Sequence, residues 1–270
     1  MNSGQPQQRR IALITGASGG IGADLARVLA RHGHDLALVA RSRDRLEALA
    51  DEIAASGRPR PIVIALDLAR PGASREVAAT LEAFDTSLEI LVNNAGFGLI
   101  GAFAELDPVE QSGIVDLNVR ALVEMTAQFL PEIRAAKGKI LNVASVVSYF
   151  PGGPGMAVYY ASKAFVLSFS RALWQELRAE GVVVTALCPG VTKTGFQSRA
   201  GFGPETALNS MPAQSAAEVA EVGYRALMAG RREAVPGLLN KITVLALPFQ
   251  PKTLILRIIA MLQQKHRASA

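Results

Sequence analysis

Tyr159 and Lys163 stand four residues apart in the run Tyr159-Tyr160-Ala161-Ser162-Lys163. That spacing puts a phenol and an amine on one face of a helix. A free phenol has a pKa of about 10 and matches neutral pH poorly. A nearby ammonium favours the phenolate and lowers that pKa. The pair reads as an acid–base unit with Tyr159 as the group that moves a proton. Tyr160, three residues from Lys163 rather than four, is its adjacent competitor.

A second motif, Thr15-Gly16-Ala17-Ser18-Gly19-Gly20-Ile21-Gly22, follows an apolar run and opens an amphipathic one. Glycine lets a backbone turn sharply and lie close to a phosphate. The N-terminus of the following helix offers unpaired N–H groups to a pyrophosphate. Standing alone, the motif could be a purely structural turn. A further clue comes after Leu38-Val39-Ala40, where Arg41-Ser42-Arg43 follows and no Asp or Glu closes the strand. A carboxylate there would bind a free ribose 2′-OH, whereas an Arg accommodates a 2′-phosphate. Arg41 can form paired, charge-assisted bonds to phosphate. The expectation is NADP(H) rather than NAD(H), against a rival in which Arg41 and Arg43 are solvated surface charges.

Regular elements must hold these groups. Near-continuous apolar runs at 11–14, 35–40, 61–66, 88–92, 139–143 and 182–187 predict strands covered on both faces. Helical patterns lie between them, as at 43–55 and 109–136. This alternation predicts an α/β fold, a doubly wound parallel sheet of the Rossmann type with helices on both faces. Two segments break the rhythm. Residues 148–155 are rich in Pro and Gly and predict a loop; residues 190–212 have little periodicity and predict a lid or binding element. Phe150, Met156, Phe196, Phe202 and Met211 are their candidate apolar linings, which suits a hydrophobic substrate.

Composition excludes several classes. Half of the 270 residues are hydrophobic and 19% are charged, too apolar for a disordered chain. The single cysteine, Cys188, rules out an intramolecular disulfide and a Cys-rich zinc site and fits a cytoplasmic setting. His32 and His34 flank Gly33 in a helix-end turn, and no metal site is expected. The N-terminal MNSGQPQQRR lacks the apolar core of a signal peptide. Basic residues are not clustered with aromatics, so no nucleic-acid partner is expected.

Gly-x-x-x-Gly-x-Gly after Thr15 resembles the glycine motif of the short-chain dehydrogenase/reductase (SDR) family, and further matches follow in order. They are Asn93-Asn94-Ala95-Gly96, Asn118, Ser145, the Tyr-x-x-x-Lys at Tyr159 and Lys163, and Pro189-Gly190 with Thr194 beyond. The likeness runs over about residues 10–230. It implies a seven-stranded sheet and hydride transfer between nicotinamide and a carbonyl or secondary alcohol. Gly16, Ser18, Gly20, Ile21 and Gly22 would follow the cofactor phosphates, with Arg41 at the 2′-phosphate. Asp67 and Leu68 would meet the adenine, although Asp67 could simply cap a turn. Asn94, Ala95 and Gly96 would line the ribose and sheet centre. Pro189, Gly190, Val191 and Thr194 would hold the nicotinamide end. Asn93 could equally be a structural bridge between strands. Tyr159 would be the acid in reduction and the base in oxidation, Lys163 would also bind the nicotinamide ribose, and Ser145 would hold the substrate oxygen. Asn118 would link Lys163 to water, or else only kink its helix. Ser145 sits in Asn142-Val143-Ala144-Ser145, close to the family's Asn-x-Ser-Ser with Ala144 in place of the first Ser, and Ser148 is its nearby competitor. Gly19 departs from the base that many NADP-dependent relatives carry there. A homodimer or homotetramer is implied.

The expected organisation is one catalytic domain over 1–235, including a substrate loop at 190–213, and an amphipathic helical extension over 236–270. The extension has helical spacing at 238–247 and 253–262, split by Pro248 and Pro251, and carries Lys241, Lys252, Arg257, Lys265 and Arg267. It could pack against the domain or a subunit, cover the pocket, or lie on a membrane surface. Two functional rivals stand beside the enzyme: an idle NADP(H)-binding sensor and a membrane-peripheral scaffold acting through the extension.

Overall fold

The structure, a computed structural model, describes residues 8–201 and 213–264. Its elements run β1 (Arg9–Thr15), α1 (Gly20–Arg31), β2 (Asp35–Ala40), α2 (Arg43–Ala55), β3 (Ile62–Ala65), α3 (Ala73–Ala83) and β4 (Thr86–Asn93). Then come α4 (Pro108–Val115), α5 (Leu122–Ala135), β5 (Lys139–Val143), α6 (Ala157–Leu177) and β6 (Val183–Leu187). The last part holds β7 (Thr192–Lys193), α7 (Phe196–Arg199), β8 (Gln214–Ser215), α8 (Ala216–Met228), β9 (Glu233–Ala234), α9 (Leu238–Ala246) and α10 (Lys252–Gln264).

Successive side chains of a strand point to opposite faces, and β1 shows what that does here. Ala12 and Ile14 enter a core with Leu25 and Leu29 of α1, Leu46 of α2 and Val219 of α8. Ile11 and Leu13 enter the opposite core with Val77 of α3, Phe129 of α5 and Leu173 of α6. Both faces are therefore covered, and a side chain such as Leu13, fully buried, contributes about 1.5–3 kcal/mol over an exposed one. The seven strands run parallel in the order β3-β2-β1-β4-β5-β6-β9. The order reverses between β1 and β4, which opens a crevice above their carboxyl ends.

Several expectations shift in detail. The seventh strand, Glu233–Ala234, has two residues and pairs only with β6, too short to leave an apolar run in the sequence. The helical stretch at 109–136 is broken by a π-helical turn over Asp116–Ala121. The predicted loop at 148–155 begins inside a 3-10 turn, Val146–Tyr149, in which the Ser145 hydroxyl accepts from Val147 N at 3.3 Å. The irregular stretch at 190–212 contributes β7 and α7; β7 pairs in parallel with β8. Phe202 and Met211 lie outside the described residues, as do Lys265 and Arg267. Two helices do form the extension, separated by a 3-10 turn at Leu247–Phe249. Among the described residues no helix is long and apolar enough to cross a membrane.

Candidate active site

The glycine turn starts where β1 ends. Gly16 and Gly20 adopt φ of +67° and +55°, backbone that side chains rarely tolerate. A clasp fixes the turn against β4. The Thr15 hydroxyl donates to Val92 O at 3.1 Å and accepts from Asn94 N and Ala95 N at 2.9 and 3.0 Å. The Asn94 amide donates back to Thr15 O at 2.9 Å and Gly16 O at 3.2 Å. Gly22 faces inward: a Cβ there would overlap Asn94 and the Gly16 carbonyl. It is a packing requirement of the turn. Asn93 is likewise turned into the protein, donating to Thr126 Oγ1 at 3.0 Å and Asn142 Oδ1 at 2.9 Å. It bridges β4, α5 and β5.

A cleft of about 430 Å³ runs over the carboxyl ends of the strands. Gly16, Ser18, Gly20 and Ile21 line one stretch of it; Arg41, Asp67 and Leu68 line another. Asn94, Ala95 and Gly96 lie in its wall with Ser145, Tyr159 and Lys163, and Pro189, Gly190, Val191 and Thr194 complete it. Asp67 also accepts from Ala69 N at 3.0 Å, so it caps a turn as well as lining the cleft. Arg43 is spent on Glu47 at 3.4 Å. Arg41 is exposed and reaches the cleft. Sequence reasoning missed Arg45, which lines the cleft beside Arg41 and Ser42.

At the other end, Tyr159 sits in the first turn of α6 and Lys163 one turn along. Lys163 Nζ donates to Val143 O at 2.8 Å, which ties α6 to the end of β5. The ammonium lies 6.0 Å from the centre of the Tyr159 ring. Ser145, two residues beyond the end of β5, lines the cleft beside the Tyr159 phenol, and its hydroxyl donates to Pro189 O at 3.4 Å. Ser148 is committed elsewhere, donating to Lys163 O at 2.8 Å. Burial dominates the electrostatics. It pushes the Tyr159 phenol above its ordinary value, with the neighbouring Ser145 hydroxyl working against it. Burial also brings Lys163 down to about 8. The expected lowering of the phenol by the ammonium is not seen in the protein alone: burial leads, and Lys163 is not among the groups that shift the phenol. The Cys188 thiol, buried and pushed up to about 12, stays a packing group.

Asn118 lies in the π-helical turn, fully buried. Its amide donates to Phe97 O and to Ser162 Oγ at 3.0 Å, and its oxygen accepts from Phe97 N at 3.0 Å. The side chain therefore holds the segment after β4. Gly96 is the spacer between them: a Cβ there would lie 2.8 Å from Asn118 Oδ1 and 3.5 Å from Lys163 Nζ. Gly98, also missed, does the same for the phenol, with the Tyr159 ring 2.8 Å from where its Cβ would stand. Phe196 packs on Tyr159 with ring centres 5.3 Å apart, and Met156 joins it in the cleft lining. Phe150 instead meets Tyr160, at 6.4 Å.

The sequence profile of the family described as short chain dehydrogenase matches residues 10–205. Oxidoreductase UcpA of Salmonella typhimurium is 35% identical over 186 residues, covering 68% of this chain and 70% of that protein. Among solved structures, a short-chain dehydrogenase from Sphingobium yanoikuyae in complex with NADPH superposes with a TM-score of 0.78 at 33% identity, covering 87% of this chain and 92% of that one. The bulky-bulky ketone specific alcohol dehydrogenase from Comamonas testosteroni gives 0.72 at 30% identity, covering 91% and 94%.

Proposed function

The chain belongs to the short-chain dehydrogenase family of oxidoreductases, and on that premise we propose that it is an NADP(H)-dependent enzyme interconverting a carbonyl and a secondary alcohol on an apolar substrate. The observation that carries this reading is the convergence of Ser145, Tyr159 and Lys163 on one cleft whose far wall holds Arg41 and Arg45.

The cleft fits the cofactor. Gly16 has no room for a side chain, since a Cβ would come within 2.9 Å of the Ala95 backbone. The first turn of α1 carries no acidic residue, leaving its N–H groups open to phosphate. Arg41 and Arg45 have no ion-pair partner among the described residues, so a 2′-phosphate would meet two cations free to pair with it. Bound there, the reduced nicotinamide supplies a hydride to the carbonyl carbon.

The chain's own residues handle the oxygen. As the carbon–oxygen π pair collapses onto oxygen, the Tyr159 hydroxyl delivers its proton there, and the alcohol forms. Held above its ordinary pKa, the phenol keeps its proton at neutral pH but is a weaker acid than a free one, so release of that proton depends on positive charge beside it. Ser145 donates a hydrogen bond to the same oxygen and orients it. Lys163, fixed by Val143, offers positive charge to the phenolate left on Tyr159. In the alcohol-oxidising direction Tyr159 takes the proton back. Asn118 acts by holding Phe97 and the wall beside Lys163. Met156 and Phe196 beside Tyr159 suit an apolar substrate, as does the ketone class in the name of the Comamonas testosteroni relative.

The test is a panel of apolar ketones and aldehydes offered with NADPH and, in parallel, NADH, read by loss of reduced-cofactor absorbance. The reading expects turnover with NADPH at the higher kcat/KM. A preference for NADH would refute the cofactor assignment. Binding of NADPH with no turnover across the panel would favour the idle sensor.

A further inference from the structure

The C-terminal helical pair shows two properties that the cleft does not use. The first is charge. Residues 236–270 contain five Lys or Arg residues and no Asp or Glu, so the chain's whole net charge of +5 resides there and the rest is balanced. Lys241, Lys252 and Arg257 are exposed and have no ion-pair partner among the described residues. The second is apolar exposure. Of the fourteen large hydrophobic side chains exposed among the described residues, eight lie between 238 and 261. Leu238 and Leu245 are about three-quarters exposed, at 75% and 74%, and Phe249 reaches 82%.

The pattern is one-sided. On α10, Ile255 and Ile259 are buried while Leu254, Ile258 and Met261 face out. On α9, Leu238, Leu239, Ile242 and Leu245 recur at helical spacing on the exposed side. The turn between the helices adds Phe249. Contiguous exposed apolar surface of this kind marks an interaction site.

We propose that α9, α10 and the turn between them dock on the surface of a bilayer containing anionic phospholipid. Charge selects this occupant. A two-fold contact with a second copy would set Lys241, Lys252 and Arg257 against the same patch of the partner, an arrangement of like charges with no acid to offset it. An anionic headgroup layer complements them, and the leucines and Phe249 enter the boundary beneath it. The helices lie on the membrane and do not span it. The helix pair reaches the cleft through α9, where Asn240 fills the space beside Gly190, and Leu256 of α10 packs against Gly152 of the neighbouring loop.

The experiment is co-sedimentation of the full chain with vesicles of phosphatidylcholine alone or phosphatidylcholine with phosphatidylglycerol, at low and raised salt. Binding to the mixed vesicles should exceed that to neutral ones by at least about tenfold and fall as salt rises. Leu245→Glu/Phe249→Glu should abolish it, and Lys241→Gln/Lys252→Gln/Arg257→Gln should weaken it by about tenfold or more at unchanged melting temperature. The charge variant remains the test if the first variant does not fold. No binding to the anionic vesicles overturns the proposal, as does equal binding to both kinds. So does a self-association in sedimentation velocity that either variant dissolves without vesicles having bound, since that gives the face to a second copy.

Discussion

Lys163 donates its Nζ to the main-chain carbonyl of Val143 at 2.8 Å, so the amine one turn beyond Tyr159 is fixed to the strand that also delivers Ser145. Burial holds that amine at about 8, and this gives the first prediction. The kcat/KM for NADPH, which reports the free enzyme, should decline as pH rises through about 8 and the positive charge is lost. Lys163→Met should remove that inflection and lower activity at every pH. Stability carries the opposite sign. Between about 8 and the unfolded value of about 10.4, the unfolded chain binds more protons than the folded one, so this group makes stability rise with pH across that window. Urea melts of wild type and Lys163→Met from pH 7 to 10 read it.

Arg41 and Arg45 should set cofactor choice. Arg41→Ala and Arg45→Ala should each raise KM for NADPH roughly tenfold or more, the worth of a charge-assisted hydrogen bond. KM for NADH should stay nearly unchanged. Steady-state kinetics with both cofactors check this, and equal losses with both would contradict it.

The glycine turn makes a paired prediction. Gly22→Ala pushes a methyl into Asn94 and the Gly16 carbonyl and should cost about 1–3 kcal/mol in urea unfolding, with cofactor affinity falling. Gly19 has nothing within 4 Å of its would-be Cβ and an extended φ of 170°. Gly19→Ala should fold and bind like wild type.

Asn118 tests holding against relay. Removing its amide leaves the Phe97 N–H and C=O unpaired in the interior, so Asn118→Ala should lose about 1–3 kcal/mol of stability. Activity should fall along with it. A variant with full stability and no turnover would assign the side chain a direct chemical role.

The sheet was legible because its strands are buried on both faces and leave apolar runs. Its last strand was not, since two residues held by β6 alone impose no pattern. The site was legible where chemistry demands a residue type at a fixed spacing, as with Tyr159 and Lys163 on one helical turn. It was hidden where the requirement is the absence of a side chain. Gly98 makes room for the Tyr159 ring and Gly190 for Asn240, and no spacing announces contacts that join distant segments. Asn118 showed the converse: its position was readable, but its partners at Phe97 and Ser162 depend on a π-helical turn that periodicity does not reveal. The direction of the Tyr159 shift also depended on burial, which the local sequence does not report.

The phenol of Tyr159 is the group on which the catalytic account stands, and single-turnover oxidation of enzyme-bound NADPH by an active carbonyl substrate tests it most directly. Tyr159→Phe should slow that step roughly 10²–10⁴-fold, the usual worth of a general acid, while binding NADPH as wild type does and leaving Tyr160→Phe close to wild type. Unslowed hydride transfer in Tyr159→Phe would contradict the account.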